Sequence, residues 1–452
     1  MSGTRFVPFE PDQGFLLPPN PREWLPEGHL AYFVLDVVRQ FDLRQFYKDY
    51  DGSEGGRPPF DPQMMVGLIL YAYCTGVFSS RKIERATYES VAFRVVSADA
   101  HPDHDTIAAF RKRHLKRLGK LFKKVLRLCQ QAGLVKLGNV VLDGTKVQAN
   151  ASKHKAMSWG RILKTEKELE QEVKGLLARA EGVDRQEGRE AAGEDLPEEL
   201  KRREGRLERL REAKAALEQR AMDRCEEESK RKGKAAGGGH KKQGKPKEKE
   251  QYNFTDPDSR IMMDKSTNSF EQSYNCQIAV DEKAQVIVAA EVTNEANDKR
   301  QLAPMVAQVQ LEVGELPKRV IADNGYCSDE QLAAIPDRVD AYVATKSERA
   351  VYKDRGVAER GKAPAEATRE GQMARKLRTK KGRSIYAKRK GIVEPVFGQI
   401  KHARGFRQFL LRGLENVRQE WKMICTTHNL LKLFRHTWIP PASPIAYAAW
   451  IR

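Results

Sequence analysis

Long apolar runs, paired cysteines and an excess of acid are what this 452-residue chain does not have. No stretch approaches the roughly 18 uninterrupted apolar residues that a membrane helix needs, which excludes a helical membrane span. The opening Met1-Ser-Gly-Thr-Arg-Phe6 lacks the apolar segment of a secretory signal, and the expectation is a protein that stays in the cytoplasm where it is made. The six cysteines, at 74, 129, 225, 276, 327 and 425, contain no CxxC pair. Neither a zinc ribbon nor a disulfide framework is indicated, and they read as reduced, buried thiols.

What the chain has instead is base. Its 81 Lys and Arg outnumber 62 Asp and Glu, for a net charge of +19. Such a balance suits a polyanionic partner, because each cation set on a phosphate releases a condensed counterion. Hydrophobic residues at 40% supply a substantial core, and the length suits two or three domains.

After a Pro- and Gly-rich opening, helical spacing takes over. It predicts helices over 29–46, from the 58–62 Pro-Pro-Phe-Asp-Pro turn through Tyr73, over 81–96 and over 106–132. Residues 1–132 therefore read as one all-helical domain. Asn139-Val-Val-Leu-Asp-Gly144 then reads as a strand running into a turn. Residues 158–250 change again: Leu200, Leu207, Leu210 and Leu217 fall at steps of seven, three and seven, the seam of a short coiled coil. Ile162, Leu169, Val173 and Leu176 make a weaker stripe, so an internal antiparallel hairpin is expected. A Lys- and Gly-rich linker over 230–249 follows it.

From Tyr252 strand patterns return. Residues 273–280 and 285–292 read as a hairpin, 301–313 as a helix, and 319–323 and 339–345 as strands. Residues 346–390 hold 16 Lys and Arg against 5 Asp and Glu, a strong local positive excess. Helical periodicity resumes over 391–399 and 415–434.

Two acids share one context. Asp143 follows Val-Val-Leu and Asp323 follows Val-Ile-Ala, each at the end of an apolar strand with Gly nearby. Carboxylates at strand ends meet in the crevice of an α/β sheet. A third, Glu394, precedes Pro395, a residue suited to the first turn of a helix. Any one of them alone reads as a turn or surface acid. Three carboxylates together repel and call for cations between them. Two Mg²⁺ ions about 3.5–4 Å apart meet that need and serve phosphoryl transfer.

At these residues the chain resembles a known family. Tyr386, together with Glu394 and Lys401 in Val393-Glu-Pro-Val-Phe-Gly-Gln-Ile-Lys401, is similar to the Tyr–Arg–Glu–Lys signature of the DDE-type insertion-sequence transposases. The signature's basic residue falls on Arg389 by its spacing from Tyr386 and on Lys390 by its spacing from Glu394. Asp143-Gly-Thr-Lys146 with Ala149-Asn-Ala-Ser-Lys-His154 resembles the family's first-Asp block, and Ala322-Asp-Asn-Gly-Tyr-Cys-Ser328 its second. Asp256-Pro-Asp-Ser-Arg260 and Tyr274-Asn-Cys-Gln-Ile-Ala-Val-Asp281 match segments between those blocks. Phe60-Asp-Pro-Gln-Met64, Ser79-Ser-Arg-Lys-Ile-Glu84 and His104-Asp-Thr-Ile-Ala-Ala-Phe-Arg111 resemble the family's helical N-terminal domain. The likeness covers nearly the whole chain and is weakest over 158–250.

The resemblance implies an α/β RNase H-like catalytic domain, a mixed sheet flanked by helices. A helical, coiled-coil insert interrupts it, and an all-helical DNA-binding domain precedes it. The implied boundaries are 1–132, then 133–157 and 251–440 for the catalytic domain around the insert at 158–250, and a tail at 441–452. It further implies Asp143 on the first strand, Asp323 on the fourth and Glu394 on a later helix. Together they hold Mg²⁺, with Mn²⁺ as a substitute and two ions per site. Tyr386, Arg389, Lys390, Lys401 and Lys146 are implied to contact DNA. The implied partner is double-stranded DNA, as transposon ends and target, bound by a homodimer or higher assembly in the bacterial cytoplasm and at the nucleoid.

Other features carry plainer readings. His101-Pro-Asp-His104 reads as a loop rather than a metal pair. Trp421 and Trp438 read as core or interface anchors.

Overall fold

The computed structural model of the protein describes residues 20–50, 58–184, 196–231, 244–264, 268–346 and 368–437, and among these described residues seven α-helices precede the first strand. They are α1 (Leu30–Arg39), α2 (Arg44–Tyr47), α3 (Pro62–Cys74), α4 (Ser80–Glu89), α5 (Val91–Val96), α6 (His104–Arg113) and α7 (Leu115–Gln131). α3 starts where the sequence says it should. The Asp61 carboxylate accepts from the Gln63 and Met64 amides, and Pro62 fills the first position, where no N–H is needed.

Three stretches expected to be continuous are broken. The run over 29–46 divides into α1 and α2. Ser90 is extended and splits 81–96, which lets Ala92, Phe93, Val95 and Val96 turn into the core. The run over 106–132 breaks at His114, whose buried ring packs on Phe46 and Phe110 and bonds to Tyr50 and Arg117. Tertiary packing overrides helical periodicity at these points.

The sheet has six strands: β1 (Asn139–Gln148), β4 (Arg260–Asp264), β5 (Ser269–Asp281), β6 (Ile287–Thr293), β7 (Arg319–Ala322) and β8 (Asp340–Val343). Its order is β4-β5-β1-β7-β8, with β6 also on β5. β5 pairs antiparallel with β1, β4 and β6, whereas β1, β7 and β8 are parallel. The sheet is thus mixed, as expected. β7 is its fifth strand in chain order rather than its fourth, because β4 adds to the edge.

Helices α10 (Leu302–Val313), α11 (Asp329–Ala333), α12 (Arg369–Arg378), α13 (Lys380–Gly398) and α14 (Leu414–Thr437) complete this body. α14 packs on α7, α3 and β6. Asn429 fixes it by accepting from the Ile287 amide and donating to the Ile287 carbonyl, both at 2.8 Å. One hydrophobic cluster runs from Ala31 through the sheet to Leu433, so the N-terminal helices and the sheet share a core. Trp421 is fully buried and donates Nε1–H to the Gln277 carbonyl, the anchoring role expected of it. Trp438 lies outside the described residues.

Between β1 and β4 stands a helical hairpin, α8 (Trp159–Asp184) and α9 (Leu196–Arg231), on a two-stranded ribbon of β2 (Ala156–Ser158) and β3 (Gln251–Asn253). Its own core holds Ile162, Leu169, Leu207, Leu210, Ala213 and Leu217. The pairs Arg203–Glu172 and Lys214–Glu166 show the helices running antiparallel. The leucine seam therefore closes inside the chain. Most of the Lys- and Gly-rich linker, 232–243, lies outside the described residues.

Candidate active site

The strand expected to stop at Asp143 does not stop there. β1 runs on to Gln148 because β5 is long enough to pair with it throughout, setting Asp143 opposite Ile278 and Gly144 opposite Gln277. Glycine at 144 leaves room for the polar groups around it: an added Cβ would push against Gln277 Nε2 and lie 2.7 Å from Asp298 Oδ1. Asp143 therefore projects from mid-strand. Its Oδ2 takes an ion pair from Arg389 Nη1 at 2.9 Å, and its Oδ1 accepts from the Gly144 amide.

Asp323 follows directly on β7, next to β1 in the sheet. Its Oδ1 accepts from the Gly325 amide at 2.9 Å, which caps the short 3-10 turn Asn324–Tyr326. A Cβ on Gly325 would lie 3.0 Å from Asp323 Oδ1 and 3.4 Å from Asp298 Oδ2, so these two carboxylates face one small space.

Asp298 was not singled out by sequence reading. It sits in the loop between β6 and α10, where no periodic pattern marks it. Its Oδ1 accepts from Asn275 Nδ2 at 2.7 Å and from Gln277 Nε2 at 2.6 Å. Gln277 in turn accepts from the buried Tyr326 hydroxyl. A polar network from β5 thus holds Asp298, whose charge is felt by Asp143.

Electrostatics follow from this crowding. Burial pushes the Asp143 carboxyl up to about 7; Arg389 opposes the shift, while the Asp323 and Asp298 charges add to it.

Glu394 differs from expectation. It does not begin a helix: α13 starts at Lys380, and Pro395 sits inside it near the C-terminal end. The ring removes the N–H that would bond the Gly391 carbonyl. Gln285 Nε2 donates to that carbonyl instead, at 3.0 Å. Glu394 is exposed on α13, whereas Tyr386 and Arg389 are buried on it and Lys390 is exposed. Lys401 lies in a π-helical turn, Gln399–Ala403, and donates to the Lys146 carbonyl at 2.6 Å. Burial holds its ammonium below the usual lysine range.

The structure therefore brings Asp143, Asp323 and Arg389 together, adds Asp298, and leaves Glu394 at the surface of α13. Among the described residues, no three His, Cys, Asp or Glu side chains gather closely enough to hold one ion jointly. In kind the donors suit a divalent cation, since carboxylate oxygens are hard ligands and those of Asp323 and Asp298 face one small space. The histidine pair is spoken for: His104 Nδ1 bonds Glu84 Oε2 at 2.8 Å, and His101 stacks on Tyr88.

Two family models match the sequence. Residues 19–113 match a "Transposase domain (DUF772)" and residues 235–430 match a "Transposase DDE domain". Together these matches support a DDE-type insertion-sequence transposase. Asp323 and Glu394 of the transposase fall inside the DDE-domain match, and Asp143 falls between the two matches. No curated protein and no solved structure matches the chain. As a transposase it is an enzyme that acts on DNA. Among the described residues, no helix is long and apolar enough to cross a membrane.

Proposed function

We propose that the transposase binds terminal inverted repeats, cleaves DNA 3′ ends and joins them to target DNA. The catalytic domain in this reading is RNase H-like, formed by 133–157 and 251–440 around the insert at 158–250, with 1–132 as the DNA-binding helical domain. The observation that carries it is that Asp143 on β1 and Asp323, directly after the neighbouring parallel strand β7, lie close enough to repel, inside a strongly basic chain.

DDE transposase domains generally use divalent metal ions. Asp143, Asp323 and Glu394 are the residues that would hold Mg²⁺ or Mn²⁺, as two ions. When bound, these ions supply Lewis-acid stabilisation to the attacking and leaving oxygens of phosphoryl transfer. The chain's own side chains do the rest. Arg389 keeps Asp143 partly ionised in the free protein and, released from it, offers its fork to a backbone phosphate. Arg389 fits the signature cation through its ion pair with Asp143. Tyr386, Lys146, Lys390 and Lys401 contact the DNA backbone beside it. Two ends must be held at once, which calls for a homodimer or larger assembly.

Incubating a labelled duplex that carries the element's ends with a target plasmid and Mg²⁺ tests this reading. Label joined covalently to the plasmid supports strand transfer. Cleavage without joining would make the protein a nuclease of the same chemistry instead.

A further inference from the structure

Helix α7 reads Leu-Lys-Arg-Leu-Gly-Lys-Leu-Phe-Lys-Lys-Val-Leu-Arg-Leu-Cys-Gln-Gln, six bases and no acid in 17 residues. Lys116, Lys120, Lys123 and Arg127 recur at steps of four, three and four, which sets them on one face. The opposite face is buried through Leu118, Phe122, Val125 and Cys129, and it packs on α14. Like charges so spaced cost an isolated helix about 0.2–0.5 kcal/mol per pair, so helix stability does not account for them.

Some bases of α7 already have protein partners. Lys123 and Lys124 donate to the carbonyls of Leu311 and Asp42, both at 2.8 Å, and Arg117 pairs with Asp49. Glu415 senses Lys116, but its oxygens accept from Arg418 and Gln419. Lys116, Lys120 and Arg127 are exposed, and their heads make no ion pair among the described residues. From Lys116 to Arg127 the ridge spans about 16 Å. Duplex DNA presents a phosphate on each strand every ~3.4 Å of its axis, so a ridge of this length passes several of them.

We propose that this face of α7 grips the phosphate backbone of duplex DNA without reading its sequence. The proposal rests on the transposase reading and deepens it by naming where the DNA lies. Because α14 ties α7 to β6 and the sheet, the grip holds bound DNA at a fixed distance from Asp143 and Asp323.

The test uses the full-length chain and a labelled duplex of arbitrary sequence, with affinity measured against salt. The triple variant Lys116→Gln/Lys120→Gln/Arg127→Gln should bind about tenfold or more weakly at about 0.1 M salt, and its log–log salt slope should be shallower by about 2.7. The charge-keeping variant Lys116→Arg/Lys120→Arg/Arg127→Lys should bind as wild type does. Should the triple variant fail to fold, Lys120→Gln alone should flatten the slope by about 0.9. Unchanged affinity and slope in a folded glutamine variant would overturn the ridge while leaving the transposase reading intact. Wild type that binds no duplex at any salt would overturn both.

Discussion

Arg389 on α13 sets its Nη1 2.9 Å from Asp143 Oδ2 on β1, with only 8% and 17% of the two side chains exposed. The pair joins the helix of the Tyr–Arg–Glu–Lys signature to the strand of the first aspartate. Burial, Asp323 and Asp298 all resist ionisation of Asp143, and this guanidinium is the main force favouring it.

Arg389→Gln should therefore leave Asp143 protonated to higher pH. Cleavage at neutral pH is expected to fall by about tenfold or more, as one pK unit of extra shift is worth ~1.4 kcal/mol. The acid limb of the pH–rate profile should move up by a comparable amount. A uniform loss with an unmoved profile would show that Arg389 acts on DNA alone.

Stability of the metal-free protein should depend on pH through the same group. Asp143 has its carboxyl raised from 3.8 to about 7 on folding, so the folded state holds the proton more tightly. Its contribution is fully present below about 4 and is lost as pH rises through about 7. Asp143→Asn removes that loss and should make the protein more stable at pH above 7, by about 2–4 kcal/mol at most. Urea unfolding at acid and alkaline pH measures it. Glu420, buried and also raised to about 7, keeps a similar slope in the variant, so the comparison must be between the two proteins.

Asp298→Ala should impair cleavage although the sequence gives no hint of it. The change strands Asn275 and Gln277, which now donate to its Oδ1. Loosening the network beside Asp143 by a fraction of an ångström is expected to cost about tenfold to a hundredfold in rate. Asp298→Asn, which keeps an acceptor oxygen, should be milder. Equal wild-type rates in both variants would remove Asp298 from the site.

Gln285→Ala should destabilise the region around Glu394. Gln285 bridges the Gly391 carbonyl, orphaned by Pro395, and the Lys432 ammonium on α14. The Gly391 carbonyl is exposed and water can replace Gln285 there, so the cost is that of ordinary hydrogen bonds, about 0.5–1.5 kcal/mol. Hydrogen exchange should rise along the C-terminal turns of α13 in particular.

The contrast between Asp143 and Asp298 shows what the sequence could reveal. Asp143 and Asp323 each end an apolar, β-branched run, and such a run is legible wherever it occurs. Asp298 lies among Asn, Glu and Ala after β6, and only the register of β5 turns Asn275 and Gln277 toward it. The strand beyond Gly144 was illegible for a similar reason: Gly-Thr-Lys reads as a turn until a partner as long as β5 supplies its hydrogen bonds. The insert hairpin was legible because its leucine seam is local. The breaks at Ser90 and His114 were not, since distant side chains impose them. For Glu394, Pro395 suggested a helix start, but the proline sits inside α13, where the distant Gln285 donates to the carbonyl that it leaves unbonded.

The most direct test of the account is nicking of a labelled duplex carrying the element's ends, with Mg²⁺, by wild type and by Asp323→Ala. The account predicts a nick at the terminus by wild type and none by Asp323→Ala, with both proteins binding the duplex equally. Equal cutting by both, or no cutting by wild type with either Mg²⁺ or Mn²⁺ while binding persists, would contradict it.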